Sequence, residues 1–254
     1  MQRKYIEGGE PIALGDGGAG VLAFHGFTGS PFEVRALSER IHANGFSVLG
    51  PALAGHATEV GDLEATTSDE YVAAAERAFD EAQRRFVRVY VVGLSLGGTL
   101  ALHLATSRPV AGVVTISAPV FLYPMVEATV PIVQQWMPGL RAPANLAAWQ
   151  GNVIGYTSTS IGAVGVLRAV LERVRGELER VTAPLLVIHS GRDLTVPLAS
   201  AREIHDRAAS ADKRLAVVDG GSHVMTVEPN LALIDKTVVG FLKRLERARS
   251  PEGS

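Results

Sequence analysis

Short β-branched runs alternate with amphipathic helical stretches along most of this 254-residue chain. Because parallel strands are joined by helices that cross over the sheet, the alternation predicts an α/β fold, with a mostly parallel central sheet and helices on both faces. The chain is 47% hydrophobic and 20% charged, so it can bury a sizeable core. The predicted strands are residues 21–24, 46–49, 87–92, 110–116, 185–189 and 215–218.

Helix start signals lie between these runs. Residues 30–33 (Ser-Pro-Phe-Glu) and 67–70 (Thr-Ser-Asp-Glu) have the sequence of a capping box, in which a hydroxyl side chain caps a helix and a later glutamate reaches back. A last helix is predicted from Pro229, with a single apolar face. That face consists of Leu231, Ile234, Val238, Phe241 and Leu245.

One interval interrupts the alternation. More than sixty residues separate the strand that ends near Ile116 from the strand that begins near Leu185. This is far more than a crossover helix requires, so the interval predicts an insertion. The insertion contains Trp136 and Trp149, and it is charged only at Glu127 and Arg141 between residues 119 and 167. Its last part has the spacing of an amphipathic helix, with Val164, Leu167, Leu171, Val174 and Leu178 on one side.

Composition excludes several classes of function. A net charge of −2 provides no overall basic surface for a nucleic-acid backbone, and the absence of cysteine excludes disulfides, thiolate nucleophiles and cysteine-based metal sites. No His-x-x-x-His or histidine–carboxylate cluster has metal-ligand spacing, so we expect no metal site. The uncharged stretches 89–107, 109–125 and 142–167 are each interrupted by Gly, Pro or polar residues, which favours buried strands and loops over membrane helices. With no export signal visible near the N-terminus, we expect a soluble, cytoplasmic protein.

The sequence Gly-Leu-Ser-Leu-Gly at 93–97 follows an apolar strand directly and precedes a helix-compatible stretch. A serine in such a sharp turn is held in a strained backbone conformation above the sheet, and small flanking residues allow the chains to pack. The hydroxyl then lies at a helix N-terminus, where backbone amides stabilise negative charge. Ser95 is therefore the candidate nucleophile.

A serine nucleophile needs a base and an acid that orients it. Asp193 lies just past the strand 185–189, and His223 lies just past the last predicted strand, so the chain order is Ser, Asp, His. The loops that follow parallel strands meet at the edge of the sheet formed by the carboxyl ends of the strands, where active sites of such folds lie. Asp219, four residues before the histidine, is the rival acid and ranks below Asp193.

An acyl-transfer site also needs amides that bind an oxyanion. The amide of Leu96 follows the serine, and the amide of Phe27 lies in the glycine-rich loop His-Gly-Phe-Thr-Gly at 25–29. His25 is expected to brace this loop, and His56 to lie near the pocket rim without a catalytic role. The remaining histidines, His42, His103, His189 and His205, are expected to be packing or surface residues.

Taken together, HGFTGSP at 25–31, GLSLGG at 93–98, GRDLTVP at 191–197 and GSHVMT at 221–226 resemble the bacterial carboxylesterase and monoacylglycerol lipase family of the α/β-hydrolase superfamily. The resemblance implies a catalytic triad of Ser95, Asp193 and His223, with the amides of Phe27 and Leu96 as the oxyanion hole. It also implies a core domain of residues 1–118 and 181–254, with a small helical cap at 119–180 over an acyl pocket. Gly-His-Ala at 55–57 departs from the Gly-His-Gly of such relatives.

We therefore expect a cofactor-independent serine ester hydrolase whose partner is a small acyl ester, such as a medium-chain monoacylglycerol. Neither nucleic acid nor stable membrane insertion is expected, and the sequence leaves the oligomeric state open. A short-chain esterase, thioesterase, acyltransferase, lactonase, C–C bond hydrolase or cofactor-free perhydrolase could use the same residues, because one fold hosts many chemistries. A receptor that keeps the triad without turnover is the alternative from another class.

Overall fold

The computed structural model describes residues 4–144, 153–227 and 229–248. The strands are β1 (Ile12–Leu14), β2 (Ala19–Phe24), β3 (Ser47–Gly50), β4 (Arg88–Leu94), β5 (Val113–Ile116), β6 (Arg141–Pro143), β7 (Ser158–Ser160), β8 (Leu185–Ser190) and β9 (Lys213–Val218). The helices are α1 (Phe32–His42), α2 (Val60–Ala65), α3 (Ser68–Arg85), α4 (Leu96–Ser107), α5 (Pro124–Trp136), α6 (Ile161–Glu177), α7 (Leu198–Arg207) and α8 (Asp235–Arg247). Two short 3₁₀ helices span Leu178–Arg180 and Asn230–Leu233.

Seven strands form one sheet in the order β1-β3-β2-β4-β5-β8-β9. All neighbours in it are parallel except the edge pair of β1 and β3. Each of the six predicted strands corresponds to a strand of this sheet, so the predicted parallel α/β architecture is confirmed. The sequence did not indicate β1, because three residues are too few to show a strand period.

Alternate residues of the strands are buried on opposite faces of the sheet. In β4, Val89 and Val91 pack with α3, α4 and α6, whereas Tyr90 and Val92 pack with α1 and α8. A central parallel strand buries both of its faces, which is why these strands are apolar without interruption in the sequence. The two hydrophobic cores hold the carboxyl ends of β4, β8 and β9 along one edge, where the loops that follow them meet.

The two predicted capping boxes have different outcomes. Thr67 caps α3, with its hydroxyl accepting from the Glu70 amide and the Glu70 carboxylate accepting from the Thr67 amide. The prediction of a capping box at residues 30–33 is wrong, because α1 begins at Phe32 and no side chain caps it. The hydroxyl of Ser30 instead donates to the Ile154 carbonyl, 2.7 Å away, and Glu33 points toward the Gly26 amide. Tertiary partners replace the local hydrogen bonds there.

The last helix begins later than predicted. A 3₁₀ turn, Asn230–Leu233, precedes α8, which starts at Asp235, so the helix does not begin at Pro229. The five residues of its predicted apolar face are all buried.

The long interval after β5 contains α5, the antiparallel pair of β6 and β7, and α6. The amphipathic helix predicted from residue 164 is α6, which buries Leu167, Leu171 and Val174. Trp136 is exposed, and Trp149 lies outside the described residues. No helix in the described part of the chain has both the length and the apolar character needed to cross a membrane.

Candidate active site

Ser95 occupies a strained turn between β4 and α4. Its backbone angles are φ 53° and ψ −122°, a region that non-glycine residues rarely enter and that costs on the order of 1–3 kcal/mol. Its amide donates to the Ile116 carbonyl, 2.8 Å away, and its carbonyl accepts from the amides of Gly98 and Thr99. Backbone hydrogen bonds on both sides therefore hold the serine in this conformation.

Glycines at two flanking positions make the turn possible. A Cβ atom on Gly93 would overlap the backbone of Gly97 and Gly98. A Cβ atom on Gly97 would lie 2.6 Å from the His25 carbonyl oxygen and closer still to the Phe24 carbonyl. Helix α4 can approach β2 and β4 only because neither residue has a side chain. The sequence predicts small residues at these two positions for the same reason.

The side chain of Ser95 faces a cavity of about 220 Å³. His223 and Phe27 line the same cavity. Most of the remaining wall is apolar, and it includes Leu94, Pro119, Leu122, Ala144, Leu167, Leu194, Val196 and Val224. The structure thus brings three of the five predicted site residues to a single apolar pocket.

Asp193 and His223 form a hydrogen-bonded pair. The Nδ1 atom of His223 lies 2.8 Å from Oδ2 of Asp193, and the other carboxylate oxygen accepts from the amides of Thr195 and Val196 at 2.8 and 2.9 Å. An ionised Asp193 therefore favours the tautomer in which Nδ1 carries the proton, which leaves Nε2 of His223 able to accept another.

Opposing effects act on the pKa of Asp193. Burial raises this pKa, but the hydrogen bond and charge of His223, together with the two amide hydrogen bonds, outweigh burial and hold it below its ordinary value. Asp193 is therefore ionised at neutral pH while its side chain is almost wholly buried.

The rival acid, Asp219, is placed elsewhere. Its side chain is 96% exposed and lies 3.6 Å from the guanidinium of Arg192. Among the described residues it makes no hydrogen bond with His223. The geometry therefore favours Asp193 as the orienting acid.

The amides of Phe27 and Leu96 have no hydrogen-bond acceptor among the described residues. Leu96 is the first residue of α4, where a helix has no internal partner for its amide. The amides on either side of Phe27 are occupied: that of Gly26 donates to Glu33, and that of Thr28 donates to His56. A Cβ atom on Gly26 would lie only 3.3 Å from Cβ of Ser95, so this loop lies directly against the serine.

His25 and His56 brace the loop that carries Phe27. Nδ1 of His25 donates to the Gly26 carbonyl, and Nε2 accepts from the Leu53 amide. Nδ1 of His56 donates to the Ala54 carbonyl, and Nε2 accepts from the Thr28 amide. Each ring uses one nitrogen as donor and the other as acceptor, so each must be neutral in the folded protein.

The burial of His25 and His56 also favours their neutral forms. It lowers the pKa of His56 to about 4 and the pKa of His25 well below its ordinary value. The bracing role expected for His25 matches the structure. The expectation for His56 is wrong in position, because it is 1% exposed beneath the loop rather than at the pocket rim.

Glu33 is a site residue that the sequence analysis missed. It lies in the first turn of α1, it is 1% exposed, and it forms part of the cavity wall. Its carboxylate accepts from the Gly26 amide at 2.9 Å. The spacing from Ser30 indicated only a helix cap, and nothing local reveals that the side chain turns toward the loop.

His189 lies beneath the acid. It is fully buried, its Nε2 atom donates to the Val196 carbonyl at 3.1 Å, and the same atom is 3.7 Å from Oδ2 of Asp193. Burial lowers its pKa, so the ring is neutral and supports the loop that positions Asp193. This is the packing role expected from the sequence.

The other histidines lie away from the cavity. His103 is held between Glu76 and Glu177, His42 contacts the Phe46 carbonyl, and His205 contacts Asp206. Within the described ranges, no group of three or more acidic or histidine side chains is arranged to hold a metal ion.

This chain is similar to known hydrolases over most of its length. The model of the Hydrolase_4 family, described as serine aminopeptidase S33, matches residues 17–230. A thermostable monoacylglycerol lipase from Bacillus sp. (strain H-257) is 29% identical over 258 residues, covering 96% of this chain and 99% of the lipase. A carboxylesterase from Bacillus subtilis (strain 168) is 23% identical, covering 93% of this chain and 97% of the esterase.

Solved structures are similar along the same length. One of two metagenome-derived lipolytic enzymes, LipS and LipT, has a TM-score of 0.85 and 27% identity, covering 95% of this chain and 100% of that one. The monoacylglycerol lipase of Paleococcus ferrophilus has a TM-score of 0.75 and 21% identity, covering 92% of this chain and 98% of that one. The α/β-hydrolase fold implied by the sequence motifs is thereby confirmed.

Proposed function

The chain belongs to the Hydrolase_4 family, described as serine aminopeptidase S33, and from this premise we propose that it is a serine ester hydrolase that works through an acyl-enzyme. The observation that carries the proposal is a strained serine and a histidine that line one largely apolar cavity, with a buried carboxylate paired to the histidine. Beside the serine, the amides of Phe27 and Leu96 have no acceptor in the described ranges. Each of these parts has a function in acyl transfer.

In the proposed mechanism, Oγ of Ser95 attacks the ester carbonyl while Nε2 of His223 takes the hydroxyl proton. The oxyanion that forms accepts hydrogen bonds from the amides of Phe27 and Leu96. His223 then protonates the leaving alkoxide, and Asp193 keeps the imidazole in the required tautomer and stabilises its positive charge. Water repeats the sequence on the acyl-enzyme and releases the acid.

We propose that residues 119–180 act as a cap that supplies part of the acyl pocket. Leu122, Ala144 and Leu167 come from this segment and line the same cavity as Ser95. Their apolar side chains suit a hydrocarbon chain rather than a charged group. The similarity to monoacylglycerol lipases supports medium-chain monoacylglycerol-type esters as the substrate class.

The test is a series of p-nitrophenyl esters of increasing acyl length, with monoacylglycerols and aminoacyl anilides measured alongside. We expect kcat/KM to rise from acetyl into the medium-chain range, because each buried methylene contributes up to about 0.8 kcal/mol. A maximum at acetyl favours the short-chain esterase or perhydrolase alternatives, and faster cleavage of the anilides indicates a peptidase.

Ser95→Ala provides the background for every substrate. We expect it to fold normally, to lose activity by about four to six orders of magnitude, and to resist a serine-directed phosphonate that labels the wild type once. A receptor of the same fold shows at most a single slow event with an aryl ester. Labelling of the Ser95→Ala variant contradicts the mechanism.

The identity of the acid is tested by a matched pair of variants. Asp193→Asn should lower kcat by about 10⁴, because the amide stabilises the wrong histidine tautomer and provides no charge. Asp219→Asn is the control, since Asp219 is exposed and contacts Arg192, and we expect its kcat to stay within about twofold of wild type. If Asp219→Asn is the more damaging change at equal thermal stability, the acid has been assigned wrongly.

A further inference from the structure

A second cavity, of about 450 Å³, adjoins the catalytic cavity. Leu122 lines both cavities, and it is 9% exposed. One apolar side chain therefore belongs to the wall of the space in front of Ser95 and to the wall of a second, more open space that the proposed mechanism does not use.

Helix α6 lines both cavities and shows that only a short distance separates them. Leu167 lines the catalytic cavity, and Leu171, one turn further along the same helix, lines the second cavity. Four residues of an α-helix rise about 6 Å, which is close to the width of one side chain. The two spaces thus follow each other along α6, with Leu122 between them.

Leu122 is fixed in this position by the only acidic residue of the segment 119–167. Its amide donates to one carboxylate oxygen of Glu127, 2.7 Å away. The other oxygen accepts from Nε of Arg168, also at 2.7 Å. Because Glu127 lies on α5 and Arg168 on α6, the ion pair ties the backbone of Leu122 to both helices.

The lining of the second cavity indicates what could enter it. Val120 and Leu171 are 1% exposed and form an apolar inner end with Leu122. Four of the five charged side chains in the wall form ion pairs, Arg168 with Glu127 and Arg175 with Glu203, and the fifth, Glu172, is exposed on α6. A saturated hydrocarbon chain fits this inner end better than an ionic group does, because an ion placed against buried apolar side chains loses its hydration without gaining a partner.

We propose that Leu122 is the residue that ends the acyl pocket, and that the second cavity is a subsite for the distal methylenes of longer acyl chains, closed in the wild type by the Leu122 side chain. This rests on the proposed ester hydrolysis at Ser95. It assigns the upper limit of acyl length to one residue and gives Glu127 and Arg168 the task of holding that residue in place.

The experiment measures kcat/KM for p-nitrophenyl esters from acetyl to hexadecanoyl in the wild type, Leu122→Ala and Leu122→Val. In Leu122→Ala, the optimum should move to longer chains by two or more carbons. The ratio of kcat/KM for an ester two methylenes beyond the wild-type optimum to that for the optimum should rise about tenfold, since each buried methylene is worth up to about fourfold. Leu122→Val should shift the profile in the same direction by less.

Filling the second cavity provides the decisive control. Adding Leu171→Phe to Leu122→Ala should cancel the gain on long esters, because the bulkier ring occupies the subsite. The matched variant is Leu167→Ala, which enlarges the catalytic cavity without removing the partition, so any gain it gives should survive addition of Leu171→Phe. An unchanged length profile in Leu122→Ala overturns the assignment of Leu122. A gain that Leu171→Phe does not cancel overturns the subsite.

Two further readouts separate this inference from the function on which it rests. Labelling of Ser95 by a methyl phosphonate shows that each variant keeps a competent site, and labelling rates with longer alkyl phosphonates repeat the length comparison without turnover. Circular dichroism and thermal unfolding show that each variant folds, and Leu122→Val is the substitution to use where Leu122→Ala does not. If the wild type is not labelled at Ser95 and hydrolyses no ester, the proposed function fails, and the assignment of Leu122 fails with it.

Discussion

Ser95 and Phe27 face the same cavity, but the segments that carry them are held by different kinds of contact. The turn of Ser95 is held by backbone hydrogen bonds and by the close approach of Gly93 and Gly97 to neighbouring main chain. The loop of Phe27 is held by three buried side chains, those of His25, His56 and Glu33.

Because of this difference, we expect the two segments to respond differently to mutation and to pH. A backbone contact cannot relax without moving a strand or a helix, so damage to the serine turn should affect the whole fold. A side-chain brace can be removed or protonated by itself, so damage to the loop should be graded and should depend on pH. Three experiments on stability and turnover test this difference between the two segments.

The largest effect is expected at Gly97. Gly97→Ala places a methyl group against the carbonyl oxygens of Phe24 and His25, and we expect the free energy of unfolding in urea to fall by about 4 kcal/mol or more. The control is Gly61→Ala in α2, where a Cβ atom meets none of the described residues within 4 Å and alanine favours the helix. Its effect should be neutral or stabilising by up to about 1 kcal/mol. Equal effects in the two variants contradict the backbone argument.

The second effect concerns pH. His25 and His56 have pKa values below that of an unfolded histidine, so below about pH 6.5 the unfolded chain binds more protons than the folded one. Stability should therefore be complete above pH 6.5 and should fall as pH decreases toward about 4. The buried His189, whose pKa is also lowered, adds to the loss in the same direction.

For His56 alone, the loss amounts to about 3 kcal/mol over that range. Urea unfolding at pH 7.5, 6, 5 and 4.5 measures it. In His56→Gln the slope of unfolding free energy against pH between 6 and 5 should be smaller by about 1.2 kcal/mol per pH unit. Asp193 does not confuse this comparison, because its lowered pKa acts in the more acidic range of carboxylates. An unchanged slope in His56→Gln shows that His56 is not held neutral.

The smallest effect is expected at Glu33. Glu33→Ala leaves the buried Gly26 amide without its carboxylate partner, and the loop that presents the Phe27 amide should lose definition. Loss of one oxyanion donor costs about 10²–10³ in kcat, so a loosened donor should cost about 10- to 100-fold, with KM changed much less. Glu33→Gln keeps an oxygen acceptor and should retain most of kcat. If the two variants are equally impaired at equal stability, the charge of Glu33 is what matters, rather than its hydrogen bond to the loop.

The sequence predicted the serine turn because its requirements are local. A strand, a serine between glycines and a helix occur within one short stretch, and the steric reason for the glycines is independent of the rest of the molecule. The same holds for the capping box at Thr67, whose partners are three residues apart. The loops that carry Asp193 and His223 were also predictable, because the ends of parallel strands meet at one edge of a sheet.

The residues that support the loop of Phe27 could not be predicted from local patterns. Ser30 and Glu33 have the spacing of a capping box, but their partners are the carbonyl of Ile154 and the amide of Gly26. His56 was expected at the pocket rim, yet it lies under the loop and accepts from Thr28, 28 residues away in sequence. Buried tertiary hydrogen bonds replaced local ones, because a buried amide without a partner costs more than an uncapped helix end exposed to water.

The amino-acid sequence was enough to predict the parallel sheet and the strained turn, since strand period and glycine sterics act over short distances. It also predicted the edge of the sheet at which Ser95, Asp193 and His223 lie, because each follows a predicted strand. Three relations became visible once the elements had packed: Asp193 rather than Asp219 contacts His223, Glu33 faces the Gly26 amide, and Leu122 lies between two cavities. These relations join residues that are far apart in the chain, and they depend on the direction in which each side chain leaves its backbone once the elements have packed.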